Sequence, residues 1–177
     1  DSIVLEPSAG DGVFIDPLLE INSSLDITAI DLNPESVTLL KDKYGAYPSI
    51  KVVEADTLLD SGLDQKVIGN GYFDKIIGNP PYGAWQDYEK RDELKKRYKG
   101  YYVKETYTLF LLRCVALLKK HGTLTFIIPD TFLNLHMHKQ LREHLLLNTK
   151  ISEILMIPSS FFPGVNFGYS NLTIITL

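Results

Sequence analysis

The sequence predicts an α/β fold with a mostly parallel sheet and helices on both faces. Three observations carry this. Short β-branched apolar runs recur along the 177 residues, helix-like segments separate them, and glycine, acid or proline residues stand just after several of the runs. In such folds ligands sit beyond the carboxyl ends of the strands, so those residues are the place to look for chemistry.

The elements follow in order. Ile3 to Leu5 is a first strand, followed by a Gly-rich turn and an apolar stretch from Val13 to Ile21. Ile27 to Ile30 is a second. Asn33-Pro34-Glu35 resembles an N-cap with Pro at the first helical position, and that helix runs towards Tyr44, with Gly45 near its end. Ile50 to Val53 and Phe73 to Ile77 are the third and fourth strands. From Thr106 to Lys120, Leu109, Leu112, Val115 and Ala116 recur at helical spacing, and Gly122 is expected to end that helix. Leu124 to Ile128 is a fifth strand, Thr131 to Leu147 is mostly helical, and Ile151 to Ile157 and Ser170 to Leu177 complete seven strands.

The length suits one domain. A formal net charge of −4 argues against a chain that binds nucleic acid through its overall charge. Cys114 is the only cysteine, which excludes an internal disulfide framework and fits a reducing cytoplasm. No apolar run is long enough to cross a membrane, and no secretory leader pattern opens the sequence. The sequence starts with Asp rather than Met and ends inside a strand pattern, so 1–177 reads as a catalytic core cut from a larger protein.

The strand ends carry the functional signal. After the first strand comes Glu6-Pro-Ser-Ala-Gly10-Asp-Gly12, a turn in which glycines let the backbone approach a ligand closely. Residue 15 is Ile, so this is not a dinucleotide fingerprint, nor is it a phosphate-binding P-loop; a cofactor without a pyrophosphate fits better, and a plain strand–helix turn stays open. After the second strand, Asp31 lies nineteen positions beyond Gly12, near the place of an acid that accepts from ribose hydroxyls; the plain alternative is a helix-capping acid, a role that Asn33 already offers. After the third, Asp56 is placed either to accept from an adenine amino group or as an ordinary loop acid. After the fourth comes Asn79-Pro80-Pro81-Tyr82. Proline fixes two successive φ angles and removes two donors, leaving a preset group of acceptors beside an aromatic ring.

At these residues the sequence resembles the adenine-N6 DNA methyltransferases of the gamma class, which includes restriction–modification enzymes such as the Eco57I-like and TaqI-like ones. Val4 to Gly12 resembles their S-adenosylmethionine motif and Asn79 to Tyr82 their catalytic motif. The resemblance implies a Rossmann-like methyltransferase fold that methylates the N6 of an adenine flipped out of double-stranded DNA. It implies that Asn79, Pro80 and Tyr82 are catalytic. Glu6, Pro7 and Gly10 would border the cofactor's methionine moiety, Asp31 its ribose and Asp56 its adenine, with Pro81 and Phe110 packed around it. In the segment from Phe161 to Leu177, Phe162 would contact the target base, with Phe161 as the second choice. The pattern departs from the family in two respects: the N-terminal pocket-closing segment and the C-terminal target-recognition domain are absent from 1–177. The latter is expected elsewhere in the same chain or in a separate subunit.

Residues 87–104 carry seven Lys and Arg against four acids, with Tyr88, Tyr98, Tyr101 and Tyr102 among them. The segment reads equally as a surface that tracks phosphates and stacks bases or as a solvated helix face. His136 and His138 point to different sides of a helix and no acid completes a ligand set, so no metal is expected. Asn-Pro-Pro-Tyr also occurs in methyltransferases for RNA bases and for protein glutamine, which makes such an enzyme the nearest rival. A non-catalytic DNA-recognition module of the same fold is the other.

Overall fold

The computed structural model describes residues 2–67, 71–83, 88–158, 161 and 171–177. Seven strands form one sheet: β1 (Ile3–Glu6), β2 (Asp26–Asp31), β3 (Ile50–Glu54), β4 (Phe73–Gly78), β5 (Leu118–Pro129), β6 (Glu153–Ile157) and β7 (Leu172–Thr176). Six α-helices accompany them: α1 (Ile15–Ile21), α2 (Pro34–Tyr44), α3 (Ser61–Val67), α4 (Tyr88–Arg97), α5 (Thr106–Leu117) and α6 (Lys139–Asn148). The sheet order is β3-β2-β1-β4-β5-β7-β6. β1 pairs in parallel with both β2 and β4, while β7 is antiparallel to β5 and β6. The chain divides into two compact units, Asp1–Asn79 with Arg113–Leu124, and Pro80–Leu112 with Thr125–Leu177.

In the first unit the core follows from the sequence pattern. β1 has a neighbour on each side, and Val4 and Leu5 are fully buried, as central parallel strands require. Val4, Ile15, Ile27, Ala29, Leu40 and Tyr44 close into one apolar cluster. α2 starts as its sequence predicts: the Asn33 side chain accepts from the Glu35 amide at 2.9 Å, with Pro34 at the first position. The Tyr44 hydroxyl and Lys43 both reach Asp16 of α1, at 2.8 and 2.7 Å.

Gly12 lies under this cluster with φ +74°, and a Cβ there would stand 2.8 Å from Leu40 Cδ2 and 3.0 Å from Tyr44 Cε2. The left-handed backbone and the crowding add, so Gly12→Ala is expected to cost about 2–4 kcal/mol. A drop of several degrees in the thermal midpoint checks it, and an unchanged midpoint contradicts it.

Two boundaries differ from expectation. α5 stops at Leu117 and β5 begins at once, at Leu118 rather than Leu124. Gly122 therefore does not end a helix. It lies within β5, where a Cβ would sit 2.9 Å from the Asp74 carbonyl of β4; the glycine serves close strand approach. α3, between β3 and β4, is an additional element that the sequence pattern does not announce. The 131–147 region divides into two short 3-10 turns, Asp130–Leu133 and His136–His138, before α6.

The second unit contains β6, β7, the end of β5, α4, α6 and most of α5. Phe126, Ile128, Phe132, Leu141, Leu145 and Ile175 are buried there. The Tyr107 hydroxyl meets Thr131 Oγ1 at 2.8 Å and His138 Nε2 at 3.4 Å, and His138 also faces Glu105 Oε2 at 3.7 Å.

Candidate active site

Strand order reverses between β1 and β4, the place where open α/β sheets bind ligands. The loops that leave β1, β2, β3 and β4 here are wired to one another within the first unit. The Asp31 carboxylate, at the end of β2, accepts from the Gly10 amide at 2.8 Å and from the Asn33 amide at 2.8 Å. The Asp31 carbonyl accepts from the Ala55 amide at 3.0 Å. Thr57, buried after β3, donates its hydroxyl to the Pro7 carbonyl at 2.6 Å. Ser8 makes a long contact, 3.4 Å, with the Asn79 carbonyl after β4. Four sequence-predicted loops thus become one bonded rim.

Asp31 was expected to be reserved for a ligand, with Asn33 left to cap the helix. Asn33 does cap it, yet both oxygens of Asp31 also hold backbone. Each carboxylate oxygen has a second lone-pair direction, so the group can fix the Gly10 turn and still accept from a diol. Asp56 similarly turns its own loop, accepting from the Leu58 amide at 3.0 Å.

Glu6 is the electrostatic anomaly of the rim. It is 1% exposed at the end of β1, and its Oε2 has no hydrogen-bond partner among the described residues. Burial, and secondarily the nearby Asp31 charge, pushes its pKa from an ordinary 4.5 up to about 8. A buried carboxyl oxygen without a donor is costly, and a cationic ligand group arriving there would offset that cost.

Arg113 is a structural keystone of this rim that no sequence motif marks. It projects from α5 and is 6% exposed. Its Nε donates to the Thr57 carbonyl at 3.1 Å, one terminal nitrogen donates to the Asp60 carbonyl at 3.0 Å, and the other pairs with Asp64. One guanidinium thereby holds the whole β3–α3 loop that carries Asp56. A lone Arg in the apolar helix sequence Thr-Tyr-Thr-Leu-Phe-Leu-Leu-Arg-Cys was the available signal, because a buried cation must be paired.

The catalytic motif leaves β4 as Asn79, which is exposed, followed by a buried Pro80 and an exposed Pro81. Among the described residues no donor meets the Pro80 carbonyl. In the second unit the Tyr82 ring is half-buried and its hydroxyl donates to the Ile127 carbonyl at 3.2 Å. Burial raises the Tyr82 pKa to about 12, so the phenol stays neutral and remains a donor. The Thr106 hydroxyl donates to the Gly83 carbonyl at 2.7 Å, fixing the backbone just after Tyr82. Phe110 is 7% exposed on α5, on the same unit as Pro81. Phe161 is 72% exposed, and Phe162 lies outside the described residues.

This strand order, with β7 inserted antiparallel between β5 and β6, is the architecture of the S-adenosylmethionine-dependent methyltransferases. A Listeria monocytogenes protein assigned to class I of those enzymes superposes with a TM-score of 0.76 at 17% identity, over 99% of this chain and 53% of its own. The chain belongs to the Eco57I restriction-modification methylase family, whose model matches residues 25–162. Among curated relatives, the type II methyltransferase M.AccI of Acinetobacter calcoaceticus is 27% identical over 87% of this chain. The modification methylase CviBIII of Paramecium bursaria Chlorella virus NC1A is 32% identical over 79%. The matches span 28% and 34% of those two relatives' own lengths.

Proposed function

We propose that the protein methylates the N6 amino group of an adenine flipped out of duplex DNA, as the modification activity of a restriction–modification or related defence system. The observation that carries this reading is the corner at Asn79 to Tyr82: an exposed amide side chain, a backbone carbonyl that no described donor meets, and a fixed neutral phenol.

S-adenosylmethionine, the cofactor of this fold, supplies a methyl group on a positively charged sulfur. The residues present fit it. Glu6 Oε2, without a hydrogen-bond partner among the described residues, is an acceptor suited to the cofactor's ammonium, Gly10 leaves the turn beside it open, Asp31 takes the ribose hydroxyls and Asp56 the adenine amino group. Pro7 shapes the turn through its carbonyl bond to Thr57; Pro81 and Phe110 keep the cofactor-packing role that the family resemblance assigns them.

An adenine amino group is a weak nucleophile because its lone pair is delocalised into the ring. A strong base is unnecessary. The Asn79 side-chain oxygen and the Pro80 carbonyl each accept one N–H, turning the nitrogen's lone pair out of conjugation. Both are preset towards the positive charge that develops as the N–C bond forms and the S–C bond breaks. The nitrogen then releases one proton to water. Tyr82, pinned to β5, stacks on the base, and Phe162 is assigned the opposite wall.

Glu6 makes cofactor binding depend on pH, and the sign follows from its raised pKa. Below about 8 the free protein holds Glu6 largely protonated, whereas an ammonium requires the carboxylate. Affinity for S-adenosylmethionine should therefore rise from pH 6 towards 8, then fall as the cofactor's own ammonium deprotonates near ~8. The same raised pKa predicts that stability without cofactor declines as pH rises from 4.5 towards 8, because the folded state binds the extra proton. Glu6→Gln should flatten the acid limb of the affinity profile and weaken binding. Calorimetric titration at several pH values decides; a profile identical to that of the wild type removes Glu6 from the role.

Transfer of labelled methyl by the full-length protein to duplex DNA, RNA and protein tests the substrate class. Label in DNA alone is expected. Label in RNA or in a glutamine side chain would replace this reading by its rival, and no transfer together with no cofactor binding would favour a non-catalytic module.

A further inference from the structure

The segment after the catalytic corner is built to expose charge. α4 begins six positions beyond Tyr82. Leu94 and Tyr98, one helical turn apart, are 4% and 8% exposed and anchor one face. Tyr101 packs edge-on against the His144 ring of α6, with centroids 5.4 Å apart. The structure therefore divides the two roles that the sequence left together: these two tyrosines hold the segment in place, and the cations face out. Lys95, Lys96 and Lys99 are all exposed; Lys95 and Lys96 are neighbours at the end of α4, and Lys99, in the turn that follows, lies four and three positions beyond them.

Local neutralisation of these lysines is weak. Lys95 reaches Asp92 at 3.5 Å, but both side chains are half-exposed or more, a surface pair of little strength. Among the described residues no ion pair holds Lys96 or Lys99. The contrast with the rest of the chain sharpens the point. Outside 87–104 the sequence has eleven Lys and Arg against eighteen acids, so this is a local positive surface on an acidic protein. Three lysines exceed what a helix C-terminus needs to balance its dipole.

We propose that Lys95, Lys96 and Lys99 form a phosphate-tracking surface that grips the DNA backbone beside the target base. The inference rests on the DNA reading above. Non-specific phosphate contacts of this kind set affinity and registration and carry no sequence information, so this surface holds the duplex while recognition of the target sequence lies elsewhere.

The test uses the full-length protein and a fluorescent duplex, with binding measured across a salt series. The variant with Lys95→Gln, Lys96→Gln and Lys99→Gln is compared with a control of equal charge change on exposed lysines elsewhere, Lys41→Gln, Lys51→Gln and Lys150→Gln. Three lost phosphate contacts should reduce the slope of log affinity against log salt by about 2.7, and weaken binding by about 10²-fold near 0.15 M salt. The turnover number at saturating DNA and the S-adenosylmethionine affinity should stay within about twofold, and the control should keep the wild-type slope. An unchanged slope in the α4 variant, or an equal change in the control, overturns the surface even where the wild type methylates DNA. A wild type that neither binds nor methylates DNA, or that methylates RNA instead, overturns the surface and the DNA reading together.

Discussion

Replacing Asn79 with alanine should reduce methyl transfer by about 10²–10³-fold while S-adenosylmethionine binds as before, the penalty typical of removing one preorganised polar group aimed at developing charge. Asn79 is exposed, so truncating it leaves no buried cavity and the protein should melt at the wild-type temperature. The Asn79 backbone carbonyl, which meets Ser8, is unchanged by the substitution. What disappears is the side-chain amide, with the acceptor oxygen assigned to the substrate amino group. Asn79→Asp keeps an acceptor and should retain part of the activity. An alanine variant within tenfold of wild type, with normal cofactor binding, would show that the side chain does not orient the amino group.

The second large effect falls on a residue far from the motif in sequence. Arg113→Met should lower stability by about 2–3 kcal/mol and weaken S-adenosylmethionine binding at least tenfold. Removing one member of a buried ion pair costs about 3–5 kcal/mol, and the figure is smaller here because the Asp64 side chain is 42% exposed and water can take over that partner. The carbonyls of Thr57 and Asp60 would still lose their donors. Since Thr57 also bonds Pro7, slackening at Arg113 passes to both the β1 and β3 loops of the cofactor rim. Arg113→Lys should recover little, because an ammonium cannot reproduce the planar fork that serves three partners. A methionine variant that loses stability but binds cofactor with wild-type affinity would limit Arg113 to the fold.

Much of this arrangement was legible in the sequence, for identifiable reasons. Strands draw on runs of apolar and β-branched residues, so six of the seven appear close to where they were expected; the fifth is longer. Asn33-Pro34-Glu35 announced the start of α2 through local bonding alone. The functional loops were legible because chemistry clusters at strand ends in this architecture. What the sequence hid depends on long-range contact. Gly122 looks like a helix stop, but the approach of Asp74 decides its role. Asp31 looks like a free ligand acid, but Gly10, twenty-one positions away, uses one of its oxygens. Glu6 shows its missing partner only once its burial is known. Arg113 could have been suspected from its apolar neighbours, though its three partners, 49 to 56 positions away, could not.

The most direct measurement is the identity of the modified nucleoside. The full-length protein is incubated with duplex DNA and S-adenosylmethionine carrying a labelled methyl group, the DNA is digested to nucleosides, and the label is located by mass spectrometry. An acceptor pair at Asn79 and Pro80 acting on adenine predicts label in N6-methyladenine and its loss in Asn79→Ala. Label in cytosine, at either the exocyclic nitrogen or ring carbon 5, would contradict the assignment of this corner to adenine.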